Sequence, residues 1–296
     1  MNYTEKGSKL YLFSIVLVAV IGGLLFGYDT AVISGAEKGL QAFFMGADFE
    51  YTDAIHGITS SSALIGCIIG SAVSGFFASG LGRKNSLFLA GILFFLSALG
   101  SYYPEFLFFE HGVPSYSLLV AFNFYRVLGG IGVGLASAIC PMYIAEIAPS
   151  NIRGTLVSWN QFAIIFGQLV VYFVNFLILG SHANPVIDLV NGVNQIMNPE
   201  AAAWTTETGW RLMFVSEAVP AGLFALLVLL VPETPRYLAM CGKDERALNV
   251  LSRINGASQA KVILAEIKAT TEEKTERLFT YGWMVIFICL LYTSDA

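Results

Sequence analysis

A single carboxylate interrupts one of the most apolar stretches of the chain. Asp29 lies between Leu24-Leu25-Phe26-Gly27-Tyr28 and Thr30-Ala31-Val32-Ile33. A charge near the middle of a bilayer costs roughly 2.5–3.5 kcal/mol even on a lenient insertion scale, so an ionisable residue at such a position usually has a function and a partner. Arg126 lies in another apolar stretch and carries the opposite charge. We therefore predict that Asp29 and Arg126 are partners within the membrane.

The Asp29–Arg126 pair has two interpretations. Burial favours a neutral aspartate, whereas a nearby guanidinium favours the ionised form. A conformational change that separates the two side chains would therefore change how readily Asp29 takes up a proton, and the pair would act as a proton switch. The alternative is a static salt bridge between two helices, and the spacing of the residues does not decide between them.

Polar side chains on a later apolar stretch are suited to a neutral ligand. Gln161, Ile164 and Gln168 share one helical face at positions i, i+3 and i+7. Two carboxamides can donate and accept hydrogen bonds without a net charge, as a polyhydroxyl ligand requires; the alternative is hydrogen bonding between helices. Phe26 lies three residues before Asp29, where its ring could stack on a sugar or simply pack.

The chain that carries these residues has the composition of a membrane protein. Of its 296 residues, 56% are hydrophobic and 12% are charged, and the mean hydropathy is +0.68. A transmembrane helix needs about 20 apolar residues. Six segments meet that requirement, and a seventh begins near Tyr281. The six predicted spans are Tyr11 to Gly35, Ala54 to Ala78, Asn85 to Tyr103, Tyr116 to Cys140, Thr155 to Leu179 and Trp210 to Val231.

The basic residues predict the orientation of these spans. Most of the 16 lysines and arginines fall on one side if the amino terminus is cytoplasmic, because many of them lie between Arg236 and Arg277. In that charged stretch Leu248, Leu251 and Ile254 recur at helical spacing. We therefore expect short amphipathic helices on the cytoplasmic face.

Several other functions lack support in the sequence. The histidines His56, His111 and His182 show no metal-ligand spacing, and neither a serine-histidine-acid arrangement nor HExxH occurs. The glycines of residues 129–134 look like a dinucleotide-binding loop, but they lie in an apolar span, where glycine permits close helix contact. We expect no enzyme activity, no metal, no cofactor and no nucleic-acid partner.

A set of motifs resembles one transporter family. The chain is similar to the amino-terminal half of the sugar porters of the major facilitator superfamily. The resemblance implies an all-α membrane protein with a six-helix bundle, followed by cytoplasmic helices. The motifs are Gly22 to Gly35, Gly82-Arg83-Lys84, Arg126 to Gly134, Pro141 to Glu146, Arg153-Gly154, Gln161 to Gln168 and Pro232-Glu233-Thr234-Pro235-Arg236.

The resemblance also implies roles for individual residues. Asp29 matches the family's proton-coupling aspartate and Arg126 its partner. Gln161 matches a sugar-binding glutamine, and Phe26 and Gln168 match residues that line the sugar cavity, with Ile164 on the same helical face. A cytoplasmic gate that joins the two halves would contain Arg83, Glu146, Arg153, Glu233 and Arg236.

The expected function is sugar–proton symport by alternating access, with the proton as coupling ion and D-xylose or a related pentose or hexose as substrate. A proton-independent facilitator and a sugar sensor are the alternatives. We expect a bundle over residues 1–231, linking helices over 232–279, and a truncated seventh span over 280–296 whose last residues do not resemble the family. Since alternating access needs two bundles, we expect the bilayer and a missing carboxy-terminal half as partners, and no transport by this chain alone.

Overall fold

The computed structural model describes residues 7–47, 49–106, 112–182, 186–187, 195–196 and 203–272. The predicted seventh span, at 280–296, lies outside the described residues, as does His111. Five long helices come first: α1 (Lys9–Met45), α2 (Asp53–Gly80), α3 (Arg83–Tyr102), α4 (Tyr116–Ile147) and α5 (Arg153–His182). A π-helical turn (Thr205–Gly209) then leads into α6 (Trp210–Ser216), α7 (Ala218–Leu230), α8 (Pro235–Met240), α9 (Asp244–Asn255) and α10 (Ala257–Glu272).

The all-α fold class and the six spans are confirmed. Six helical segments of the described chain are long and apolar enough to cross a membrane. A pair of two-residue antiparallel strands, β1 (Val186–Ile187) and β2 (Gln195–Ile196), is the one β element among the described residues. It is too short to change the fold class.

The first helix is longer than the sequence predicts. The expected span ended at Gly35, whereas α1 continues to Met45. Ala36, Leu40 and Phe44 are buried at intervals of four residues, so one face of this extension packs on the bundle. Glu37 and Lys38 are exposed and charged, so the hydropathy of this segment does not predict that the helix continues through it.

The sixth span is interrupted where Glu217 lies. Helix α6 ends at Ser216 and α7 begins at Ala218. Pro220 has no N–H to donate to the carbonyl four residues earlier, so one helical hydrogen bond is missing there. The interruption lies at the buried side chain of Glu217, which is 1% exposed.

Glycines bring pairs of helices into backbone contact, as expected for residues 129–134. A methyl group on Gly130 of α4 would lie 2.0 Å from the carbonyl oxygen of Ala63 in α2, and one on Gly134 would lie 2.3 Å from that of Cys67. In α2, Gly66 and Gly70 approach α4 equally closely. Two glycines four residues apart in each helix permit this approach.

Two helices leave much of their apolar surface uncovered. In the most apolar 18-residue window of α2 only 28% of residues are buried, and in that of α5 only 22%, against 44–61% for the other four spans. Large side chains on these uncovered faces include Ile65, Ile68, Phe162 and Phe173.

The charged stretch after the sixth span forms the expected amphipathic helices. Leu251 and Ile254 of α9 are buried, together with Ala247. These helices are tied to the start of α1: the N–H of Ser8 donates to the carbonyl of Arg253 at 2.8 Å. The guanidinium of Arg253 lies 3.9 Å from the centre of the Tyr11 ring.

Candidate functional site

Asp29 and Arg126 form an ion pair inside the bundle. Nη1 of Arg126 donates to Oδ1 of Asp29 at 2.5 Å, and the two side chains are 2% and 1% exposed. The guanidinium also lies 4.9 Å from the centre of the Phe214 ring. Helices α1, α4 and α6 therefore meet at this pair.

A second carboxyl lies beside the pair. Glu217, at the interruption of span six, is close enough to interact with both Asp29 and Arg126. Two carboxyls and one guanidinium leave one excess negative charge in a buried site, which a single shared proton would neutralise. Glu217 is an intramembrane acid in the sequence, but nothing in its spacing shows that it approaches Asp29.

A small cavity adjoins the charged cluster. It has a volume of about 160 Å³ between α1, α2 and α4, and its lining includes Phe26, Asp29, Thr30, Ser60 and Arg126. A water molecule occupies roughly 30 Å³ of liquid, so the cavity has room for several. Oγ of Ser60 has no hydrogen-bond partner in the described part of the chain. The ion pair therefore borders space that can hold polar molecules.

The predicted sugar-binding residues are divided between two places. Phe26 lines the cavity beside Asp29, whereas Gln161, Ile164 and Gln168 lie on α5, which contributes no residue to that lining. Gln161 is exposed, and Ile164 and Gln168 are half-buried. Helices α1 and α5 touch at this level, because a methyl group on Gly27 would lie 1.8 Å from the carbonyl oxygen of Ile164. The two glutamines thus flank α1 on an open face of the bundle.

A wider groove runs between α1 and α5. It has a volume of about 820 Å³, and its lining is largely apolar, from Leu17 and Leu24 on α1 to Phe162 and Phe166 on α5. A polyhydroxyl ligand needs several polar partners, so this groove does not fit one.

On the cytoplasmic side in the predicted orientation, Glu233 caps helix α3. Its carboxylate accepts hydrogen bonds from the N–H groups of Arg83 (3.1 Å) and Lys84 (3.1 and 3.2 Å), which satisfies donors that a helix start leaves unpaired. Gly82 precedes the helix with φ of 89°, and a methyl group there would lie 2.4 Å from Oε2 of Glu233. Burial raises the pKa of Glu233, although these N–H groups and the Arg83 charge oppose the shift.

The side chain of Arg83 continues this cluster. Its Nη2 and Nε donate to Oε1 of Glu146 at 2.8 and 3.2 Å, and Nη1 donates to the carbonyl of Ala78 at 3.1 Å. Of the five residues assigned to the gate, the structure brings together Arg83, Glu146 and Glu233. Arg153 and Arg236 lie exposed at the starts of α5 and α8, with no ion pair to the cluster among the described residues.

The fold and the charged cluster define a class of protein. A bundle of six apolar helices, with ionisable residues buried at its centre and gate-like charges at one end, has the architecture of one half of a secondary transporter. The family model described as sugar (and other) transporter matches residues 15–294. The chain belongs to this family.

Curated relatives include proton symporters and a facilitator. The D-xylose-proton symporter of Escherichia coli K12 is 45% identical over 94% of this chain and 55% of its own length. The arabinose-proton symporter of Bacillus subtilis is 36% identical over 90% and 50%. The glucose facilitated diffusion protein of Zymomonas mobilis is 32% identical over 96% and 57%.

Solved structures agree with this assignment. The xylose transporter of E. coli in a partially occluded inward open conformation matches with a TM-score of 0.79 and 45% identity, over 94% of this chain and 61% of that chain. A proton:xylose symporter bound to 6-bromo-6-deoxy-D-glucose matches with a TM-score of 0.82 and 45% identity, over 94% and 57%. The chain spans about half the length of the curated relatives that it matches.

Proposed function

We propose that this chain supplies the amino-terminal half of a sugar–proton symporter of the inner (plasma) membrane, with its amino terminus in the cytoplasm. The observation that carries the proposal is the buried cluster of Asp29, Arg126 and Glu217, in which two carboxyl groups lie beside a single guanidinium. Such a cluster takes up a proton at low energetic cost, because the proton removes an uncompensated buried charge.

The cluster couples the proton to the movement of helices. When Asp29 is ionised it holds Arg126, and so holds α1 against α4. When Asp29 is neutral the attraction weakens and Arg126 is free to pair with Glu217 instead. A proton that binds one arrangement better than the other shifts the population between them by that difference in affinity and by no more.

The sugar site lies next to this cluster. Phe26 offers a ring beside Asp29, and Gln161 and Gln168 offer carboxamides on the neighbouring helix, with Ile164 between them. D-Xylose or a related pentose or hexose is the proposed substrate, since the relatives named for proton symport carry D-xylose and arabinose. The proton is the coupling ion, and the proposal requires no cofactor.

A second bundle completes the site. The uncovered apolar faces of α2 and α5 leave large side chains such as Ile68 and Phe173 mostly exposed. A carboxy-terminal half packed on these faces would enclose Gln161 between two bundles, which alternating access requires. Cells that produce this chain alone should therefore show no sugar uptake above an empty-vector control, and sugar-specific uptake there would contradict this part of the proposal.

The test of symport uses the complete transporter, meaning this chain joined to the half that we propose completes it. In proteoliposomes at zero membrane potential, adding xylose or glucose to the outside should make the outside more alkaline for the true substrate. Asp29→Asn should abolish accumulation against a gradient and spare sugar exchange, whereas Ser34→Ala, on the exposed side of α1, should retain both. Loss of exchange together with accumulation in Asp29→Asn would make the pair a structural salt bridge.

One relative favours a second candidate. The glucose facilitated diffusion protein is 32% identical to this chain, so a proton-independent facilitator shares the fold. Sugar entry without proton movement in the same proteoliposomes would favour the facilitator and assign Asp29 to packing.

A further inference from the structure

Three residues join the ends of α1 and α2 that face outward in the proposed orientation. Nε2 of His56, in α2, lies 3.2 Å from Oε1 of Glu37, in the extension of α1. Nδ1 of the same ring lies 3.0 Å from the hydroxyl of Tyr51, in the loop that precedes α2. With Nε2 protonated, the ring donates to the carboxylate of Glu37 and accepts from the hydroxyl of Tyr51. Both nitrogens of His56 are therefore engaged.

The cluster extends from the solvent-exposed surface into the protein. The side chain of Glu37 is 51% exposed, whereas that of His56 is 12% exposed. Tyr51 is fixed in place by its ring, which stacks on Phe44 at 5.8 Å and meets Phe49 edge-on at 6.1 Å. The imidazole is therefore held between an exposed acid and a half-buried hydroxyl.

One face of each helix leads from this cluster to the cavity beside Asp29. On α2, Ser60 follows His56 by four residues and lines the cavity. On α1, Ile33 and Thr30 precede Glu37 by four and seven residues and line the same cavity. Since a helix rises 1.5 Å per residue, the cluster lies roughly 6–10 Å outside the cavity. Oγ of Ser60 is buried and has no hydrogen-bond partner among the described residues.

We propose that His56 is the outer proton-exchange site of this transporter and supplies Asp29 along the gap between α1 and α2. This inference rests on the proposed symport. The neutral ring takes a proton from external hydronium at Nδ1, leaving water, and the hydroxyl of Tyr51 turns from donor to acceptor. The imidazolium then donates to Glu37 and Tyr51 together. Release of that proton to water in the gap, and from there to the carboxylate of Asp29, restores the neutral ring.

The residue types suit this role. Imidazole is the side chain that commonly exchanges a proton between pH 5 and 8. The titratable groups that contact the ring are Glu37 from α1 and Tyr51 from the loop. Asp53 lies one turn earlier on α2, and Lys38 and Glu50 are exposed neighbours of Glu37 and Tyr51. Helix α4 contributes the uncharged Asn123, which donates to Thr59 at 3.4 Å.

The test is the pH dependence of coupled transport in the complete transporter. His56→Gln keeps an amide that can hydrogen-bond to Glu37 and Tyr51 but cannot titrate. We expect it to lower the initial rate of sugar-driven proton entry about fivefold or more at external pH 7–8, with the rate restored at pH 5.5 because external protons are then abundant. Sugar exchange, which needs no net proton movement, should continue and shows that the variant is folded. Asp53→Asn, one turn away, should behave as the unsubstituted protein at every pH.

A second variant tests whether the effect of the substitution at His56 is purely structural. Tyr51→Phe keeps the stacked ring and removes the hydroxyl, and it should show the same pH-dependent loss of rate. Unchanged proton entry in both His56→Gln and Tyr51→Phe would overturn this inference and leave symport intact. Sugar entry without proton movement in the unsubstituted protein would instead overturn the proposed symport, and this inference with it.

Discussion

Gly27 of α1 lies directly against the backbone of Ile164 in α5, where a methyl group in place of its hydrogen would be 1.8 Å from the carbonyl oxygen. Gly23 and Gly167 extend this contact, because methyl groups on them would lie 2.5 Å from Oδ1 of Asn160 and 2.2 Å from the carbonyl oxygen of Leu24. Asp29 lies two residues after Gly27 on α1, and Gln161 lies three residues before Ile164 on α5. Glycines therefore allow the close crossing of the helix that carries Asp29 and the helix that carries Gln161.

Replacing Gly27 should loosen this crossing. Gly27→Ala forces a methyl group into a backbone carbonyl, which cannot rotate away as a side chain would, and overpacking of this kind costs about 1–3 kcal/mol or more. We expect a lower thermal midpoint for the purified chain in detergent. Gly75→Ala is the matched control, because no atom lies within 4 Å of the added methyl group. Alanine is also the better helix former by about 1 kcal/mol, so a fall in stability for Gly75→Ala equal to that of Gly27→Ala would refute the packing argument.

Removing Arg126 alone should lower the free energy of unfolding more than removing Arg126 and Asp29 together. Arg126→Met leaves Asp29 and Glu217 buried without a counter-charge, and breaking a buried pair in this way costs about 3–5 kcal/mol. Combining Arg126→Met with Asp29→Asn removes one of the two charges, so the double variant should recover a large part of that loss. Unfolding of the three variants in detergent measures the difference. Strictly additive losses would show that Asp29 and Arg126 do not interact energetically.

The membrane spans and the Asp29–Arg126 pair could be predicted from the sequence. An apolar run of about 20 residues usually forms a transmembrane helix. Two opposite charges within such runs are stabilised most readily by pairing with each other. The ends of the helices were less predictable. Glu37 and Lys38 are polar, yet α1 continues through them because Leu40 and Phe44 pack on the bundle.

The contacts of Glu217 and Arg211 with distant segments could not be predicted. Glu217 reaches Asp29 through the crossing of α1 with span six, which no local pattern encodes. Arg211, at the start of the predicted sixth span, is 4% exposed and donates to Glu105 at 2.5 and 2.8 Å. It also lies over the rings of Phe43 and Trp210, at 5.2 and 4.7 Å. Burial of a charge depends on partners that only the fold brings together.

The Glu105–Arg211 pair should make stability sensitive to acid. Burial alone would raise the pKa of Glu105, but the hydrogen bonds and charge of Arg211, together with the N–H of Gly112, hold it below its ordinary value of 4.5. The folded pKa is thus lower than the unfolded one. The stabilisation is therefore complete above about pH 5 and is lost as the pH falls through the folded pKa.

Glu105→Gln tests this dependence. At pH 7 the variant should have a clearly lower thermal midpoint, because Arg211 is left buried without a counter-charge. The difference from the unsubstituted protein should shrink as the pH falls below about 5, because Glu105 of the unsubstituted protein then takes up a proton, whereas the glutamine of the variant is neutral at every pH. Glu50→Gln, at an exposed acid on the same side, should leave the midpoint nearly unchanged. A difference that stays constant down to pH 3 would show that ionisation of Glu105 does not stabilise the fold.

The Arg83–Glu146 contact should behave as a tie between the start of α3 and the end of α4. Both side chains are 9% exposed, so Arg83→Gln leaves a carboxylate with little water to replace its lost donors, and hydrogen bonds to charged groups contribute about 1.5–3 kcal/mol each. Adding Glu146→Gln should restore part of the stability, because two amides can bond to each other without a net charge. Arg246→Gln, at an exposed arginine of α9, should change stability by less than about 0.5 kcal/mol. If Arg83→Gln is no more harmful than Arg246→Gln, the buried contact does not hold α3 to α4.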